Sequence, residues 1–200
     1  VAAALAEQLI AAIERRRGSG ERCDAAGAAA RVVERIRSWG ASRALLADHP
    51  LMDALGLPVA LASAGIEPVR WPGPRDPRAG GAWRGLLGLE SPETACGITV
   101  PAFGVAERGT LVLEAGAGHG RAIDVASAYH LALLPAERLV RTLEEALVAT
   151  FAAGRRPPSA VSLVSGPSRT SDIEKISTLG AHGALALHVL VIGEELSPAT

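Results

Sequence analysis

Leu5, Leu9 and Ile13 recur every four residues between Glu7, Gln8, Glu14 and Arg15, which predicts an amphipathic helix over residues 2–16. Arg15, Arg16 and Arg17, then Gly18-Ser19-Gly20, end it, with cations where the helix dipole favours them. Asp24 is placed to cap a second helix carrying Val32, Val33, Ile36 and Trp39, closed by Gly40. Short apolar runs predict strands over 44–47, 66–71, 96–100, 110–114, 129–134, 160–164 and 185–192. Residues 51–55 read as a short helix, and 58–64 fit either a helix or a strand. After Pro135, the stripe Leu139, Leu143, Leu147 and Phe151 predicts one helix ending at Gly154, with Glu137 and Arg141 paired on its surface. Residues 71–81, 101–109 and 116–120 read as loops.

Helices alternating with short apolar strands predict an α/β fold: an open, mostly parallel sheet with helices on both faces. The last strand is apolar on both faces, as a covered parallel strand should be. The chain divides into an N-terminal helical segment, 1–40, and an α/β domain, 41–195, forming a single domain overall.

A net charge of −1 and a pI near 6.6 leave no electrostatic footprint for nucleic acid. Lys175 is the single lysine among 20 basic residues, which reflects coding bias rather than a binding patch. No apolar run reaches the roughly 18 residues of a membrane span. Residues 1–17 carry their arginines at the wrong end for a secretory signal, so a cytoplasmic location is expected. Two cysteines, Cys23 and Cys96, cannot by themselves hold an iron–sulfur cluster or a structural zinc.

The densest chemistry lies at 165–183, which reads Ser-Gly-Pro-Ser-Arg-Thr-Ser-Asp-Ile-Glu-Lys-Ile-Ser-Thr-Leu-Gly-Ala-His-Gly. It follows the predicted strand 160–164, and Ser171 with Glu174 has the spacing of a capping box. A strand leading through a Gly-Pro turn into a helix N-terminus would aim bare amides, Ser165, Gly166, Ser168, Arg169 and Thr170 at one anion. Arg169 suits bidentate recognition of carboxylate or phosphate; its competing role is an ion pair with Asp172 or with a distant acid, and Asp172, Gly109, Thr110 and Gly183 are further candidates for the anion site. Upstream, Glu107 stands before Gly109 and Thr110 as a candidate base or nucleophile, or as a partner for Arg108. His182, beside Gly183, is a candidate proton carrier or anion ligand, or a loop histidine bonded to a carbonyl. His130 and His188 read as satisfied core histidines, and His49 and His119 lie in loops. The histidines show no metal-ligand spacing, and the P-loop, His-Glu-x-x-His, Gly-x-Ser-x-Gly and dinucleotide fingerprints are absent.

The segment 165–174, Gly180-Ala-His-Gly183 and the strand Leu187-His-Val189 resemble the LUD domain family, which includes the lactate utilization protein C group. Gly97-Ile-Thr-Val100 and Ala106-Glu-Arg-Gly-Thr-Leu-Val-Leu113 resemble its second hallmark, and the likeness covers roughly residues 40–193. Arg108, Ser171 and Ala184 depart from the family's usual residues. The resemblance implies a fold like the NagB/RpiA/CoA-transferase group, with 5-formyltetrahydrofolate cyclo-ligases as relatives. It also implies a part in bacterial L-lactate to pyruvate oxidation, as a cluster-free accessory subunit beside iron–sulfur partner proteins. No cofactor is then expected on this chain, the iron–sulfur clusters residing on those partners. Two alternatives stand beside it: a transferase or ligase acting on a CoA or nucleotide substrate, and a regulatory module sensing a small carboxylate.

Overall fold

The computed structural model describes residues 1–71, 95–116, 119, 120, 123, 127–171, 177–179 and 183–193, with the backbone alone at 169–171 and 177–179. Helix α1 (Ala2–Glu14) leads to β1 (Ser19–Cys23) and α2 (Ala25–Ser38). Then come β2 (Arg43–Leu46), α3 (Pro50–Ala54), α4 (Leu57–Ser63) and β3 (Glu67–Arg70). After β4 (Ala95–Thr99), strands β5 (Phe103–Val105) and β6 (Thr110–Ala115) precede β7 (Tyr129–Pro135). A 3-10 turn (Ala136–Arg138), β8 (Leu139–Val140), α5 (Leu143–Thr150), β9 (Ala160–Val164), β10 (Arg169–Ser171), β11 (Ser177–Leu179) and β12 (Ala186–Ile192) complete the order. The expected loop over 71–81 lies outside the described residues beyond Trp71.

Six strands form one parallel sheet in the order β1-β12-β7-β4-β2-β3. The period of two sorts its central strands between two cores. Leu131, Leu133, Leu190 and Ile192 face α2, α3 and α4, joining Val32, Ile36, Met52, Leu57 and Leu61. Ala132, Leu134, Val189 and Val191 face the other way, joining Leu9 and Ile13 of α1 with Leu111 of β6. Each fully buried leucine or isoleucine contributes roughly 1.5–3 kcal/mol of transfer free energy, which is why helices cover both faces. Cys23 in β1 and Cys96 in β4 are buried with β12 and β7 between them. Three strand spacings, roughly 14 Å, exceed the reach of a disulfide.

Four further strands form a second sheet, β8-β5-β6-β9, on the α1 side. The connection from β2 to β3 runs over one face through α3 and α4, and that from β4 to β7 over the other through β5 and β6. The two connections part above the neighbouring strands β2 and β4, a topological switch point.

Several expectations are corrected. Strand β1, Ser-Gly-Glu-Arg-Cys, has no apolar alternation; it forms by pairing in parallel with β12, so the N-terminal segment supplies a sheet edge as well as helices. Residues 103–105 are a strand rather than part of a loop, paired on both sides. The single helix over 135–154 is interrupted: Leu139 and Val140 pair with β5, and α5 starts afresh at a capping box of Thr142 and Glu145. Two real elements placed leucines four apart, which imitated one stripe. Strand 160–164 is not a buried member of the parallel sheet but an antiparallel edge beside β6, with Leu163 49% exposed. Residues 169–171 pair antiparallel with 177–179, and the helix expected to start after Ser171 falls outside the described residues.

Candidate functional site

The motif residues gather at the amino edge of the parallel sheet. The Ser168 amide donates to the Ala184 carbonyl at 2.8 Å, just before β12 begins, so the loop after β9 lies beside the strand's start. The hydroxyls of Thr110 and Ser165 meet at 2.7 Å, joining positions 55 residues apart. Gly109 turns with φ +60° so close to α1 that a Cβ there would stand 2.7 Å from the Ala12 carbonyl carbon. Gly166, at φ +148°, abuts the Arg16 carbonyl, and Gly183 abuts the Ser168 side chain. Ser165, Gly166 and Pro167 with Arg16 line a groove of about 370 Å³. Gly109, Thr110, Ser165, Gly166, Ser168 and Gly183 are thus brought to one region by a hairpin turn, a strand end and the approach to β12.

The other candidates are placed differently. The Glu107 carboxylate accepts from the Leu143 amide at 3.3 Å, the first residue of α5, and lies 3.4 Å from Arg108 Nε. It thereby satisfies one of the helix's orphan donors. Arg169 and Thr170 are placed by backbone in β10, while Asp172 and His182 lie outside the described residues.

The core histidines have the partners their positions demand. His188 Nδ1 lies 2.8 Å from Ser19 Oγ and Nε2 3.1 Å from Glu21 Oε1, tying β1 to β12. Burial, then the Arg35 cation, lower its pKa to about 4, outweighing the pull of Glu21 toward a proton. His130 Nε2 lies 2.8 Å from Thr99 Oγ1; burial, then neighbouring His119, lower its pKa to about 3.

A larger opening, about 500 Å³, lies at the opposite, carboxyl edge. Its lining comes from the residues just after three adjacent strands: Asp48 and His49 after β2, Val100 after β4 and Arg138 after β7. Phe103, Glu114 and His119 of the second sheet and its neighbouring turn close it. Arg138 Nη1 donates to the Pro101 carbonyl at 3.0 Å, and Nη2 lies 3.4 Å from His49 Nε2. The pKa of His49 is lowered by burial and then by Arg138; that of His119 is lowered by burial. Motif reading passed over this cleft because, Val100 apart, the residues named in its lining belong to no motif. The available signal was the dipeptide Asp48-His49 directly after an apolar strand. Among the described residues, no group of three His, Cys, Asp or Glu side chains is placed to hold a metal ion.

The family model described as LUD domain matches residues 6–192. The chain is similar to Lactate utilization protein C of Halalkalibacterium halodurans, 35% identical over 99 residues, covering 48% of this chain and 43% of that protein. It is similar to Lactate utilization protein C of Shouchella clausii, 32% identical over 110 residues, covering 54% and 48%. The matched stretches thus span about half the length of these curated relatives. The crystal structure of a DUF162 family protein from Deinococcus radiodurans superposes with a TM-score of 0.62 at 19% identity, covering 96% of this chain and 99% of that one. The two share a fold.

Proposed function

This chain belongs to the LUD domain family, and we propose that it serves bacterial L-lactate utilisation, as a cluster-free cytoplasmic component that binds a small anion at the amino-edge groove. The clusters for lactate oxidation would reside on iron–sulfur partner proteins, since two cysteines in separated strands supply no cluster ligand set. The relatives named Lactate utilization protein C support the pathway. The observation that carries the site is the Thr110–Ser165 hydroxyl contact, which unites the two motifs on a groove edged by Arg16. Hydroxyls and closely approached glycine backbone suit an anion. Arg169, Thr170, Asp172 and His182 complete the ligand set in this reading, with Arg169 as countercharge.

The test is growth of a deletion strain on L-lactate, complemented by the wild-type gene or by Ser165→Ala, Thr110→Val or Arg169→Ala. Wild type restores growth and recovers iron–sulfur partners in a pull-down, while the variants grow poorly at normal protein levels. Unimpaired growth of the deletion strain defeats the pathway role. Unimpaired growth of all three variants defeats the site.

A further inference from the structure

The carboxyl-edge cleft has a feature that its own residues leave unanswered. His49 Nδ1 accepts the Leu51 amide at 3.1 Å, at the start of α3. A neutral imidazole carries one proton, so that proton sits on Nε2, and Nε2–H is a donor. Arg138 Nη2, 3.4 Å away, is also a donor. Two donors therefore face each other across the cleft wall, and neither can accept from the other. An acceptor oxygen between them would satisfy both.

The charges around this pair select the kind of acceptor. Glu114 is engaged by Arg155 Nη1 at 2.9 Å, and Asp48 by Arg70 at 3.3 Å. Arg138 makes no carboxylate contact among the described residues, and the Pro101 carbonyl holds its guanidinium in place. Within the lining, two arginines stand against Asp48 and Glu114, so one added negative charge is welcome at Arg138 and a second meets the acidic rim. Ala47, Val100, Ala102 and Phe103 supply apolar wall beside the donors. The opening, about 500 Å³, sits where parallel α/β sheets bind ligands, at the carboxyl ends beside a switch point.

We infer that this cleft binds an organic monocarboxylate, its carboxylate received by Arg138 Nη2 and His49 Nε2 and its hydrocarbon body laid against Val100, Ala102 and Phe103. The site is separate from the amino-edge groove. Strand β6 spans the interval: Thr110 begins it at the groove and Glu114 faces the cleft, four residues or roughly 13 Å further on.

Calorimetric titration of the full chain with butyrate, hexanoate and inorganic phosphate, together with NMR of the histidine rings, tests this. Hexanoate should bind more tightly than butyrate by up to ~fourfold per added methylene, with phosphate weaker than either. Binding should shift the His49 ring resonances of the wild-type protein, a readout that needs no variant. Arg138→Gln should lose at least ~tenfold in affinity, and Arg138→Lys, which keeps the charge but not the fork, should lose less. Val148→Ala, an exposed change on α5, should bind carboxylates as wild type does. Tighter binding of phosphate that is lost in Arg138→Gln, an unchanged hexanoate affinity in Arg138→Gln, a still His49 ring at saturating hexanoate, or an equal loss in Val148→Ala would each overturn the assignment.

Discussion

At the amino edge of the sheet the chain closes on itself: Thr110 meets Ser165, Gly109 presses on α1, Ser168 holds Ala184, and His188 is clasped between Ser19 and Glu21. At the carboxyl edge the chain ends three neighbouring strands in side chains that stop short of one another around about 500 Å³. The first region is made of backbone, hydroxyls and close packing, and its residues follow one another in motifs. The second is made of charge, and its residues come from positions 48, 49, 114 and 138 with no local pattern. Packing constraints write themselves into contiguous sequence, whereas a cleft assembled by strand order does not. A change at a packed glycine of the amino edge should therefore act first on stability, and a change at the carboxyl edge first on the affinity of the cleft.

Acid is the harshest test of the amino half of the sheet, because β12 and β7 each hide a neutral histidine there. The ordinary histidine value is near 6.5, while His188 titrates at about 4 and His130 at about 3 in the fold. Between those values the unfolded chain takes up protons that the folded chain refuses. Stability is therefore complete above pH 6.5 and falls as the pH drops toward 4, by on the order of 3 kcal/mol for His188 alone. Denaturant melts at pH 7 and pH 4.5 should show it. His188→Gln, which keeps a polar partner for Ser19 and Glu21, should remove about half of the acid sensitivity. A pH-independent midpoint for the wild type would mean that these rings are protonated in the fold.

Next in size is Gly109→Ala. An alanine at φ +60° is strained, and its Cβ would enter the backbone of α1 at Ala12 and Ile13. We expect a loss of about 3 kcal/mol, which lowers the melting temperature by roughly 6–12 °C in a chain of this length. Hexanoate should still shift the His49 ring in the folded fraction. Thr110→Val sharpens the same point more gently. It preserves shape but leaves Ser165 Oγ without this partner, at about 1 kcal/mol. Thermal unfolding measures both.

The same contrast explains what could be read before the fold was known. Strands β7 and β12 and helices α1 and α2 were legible because each buries an apolar face, and burial imposes its period on the residues. The family hallmarks were legible for a related reason, since they sit where glycines and hydroxyls must meet. Strand β1 was not legible: Ser19 and Glu21 serve His188 rather than a core, so no alternation marks it. Leu139 and Leu143 misled because their spacing suits a helix while Leu139 belongs to a strand. Arg138 and His49 lie 89 positions apart, and only the adjacency of β2, β4 and β7 brings them together.

The smallest effect sharpens the comparison from the carboxyl side. Asp48 stands on the cleft rim, more than half exposed and engaged with Arg70 outside the cleft. Its charge opposes an incoming carboxylate from a distance, through solvent, and should weaken binding without deciding it. Asp48→Asn removes that charge at nearly constant shape. Hexanoate affinity should rise ~two- to threefold in dilute buffer, and the gain should vanish by about 0.5 M salt, where the screening length falls to a few ångströms. Phosphate should gain more than hexanoate, because a second negative charge no longer meets the rim. Val148→Ala, an exposed change on α5, should leave both affinities and their salt dependence untouched. If instead Asp48→Asn weakened hexanoate, the carboxylate at position 48 would be holding Arg138 or His49 in place. The cleft would then owe its affinity to packing, as the amino edge does, and the division between the two ends would fail.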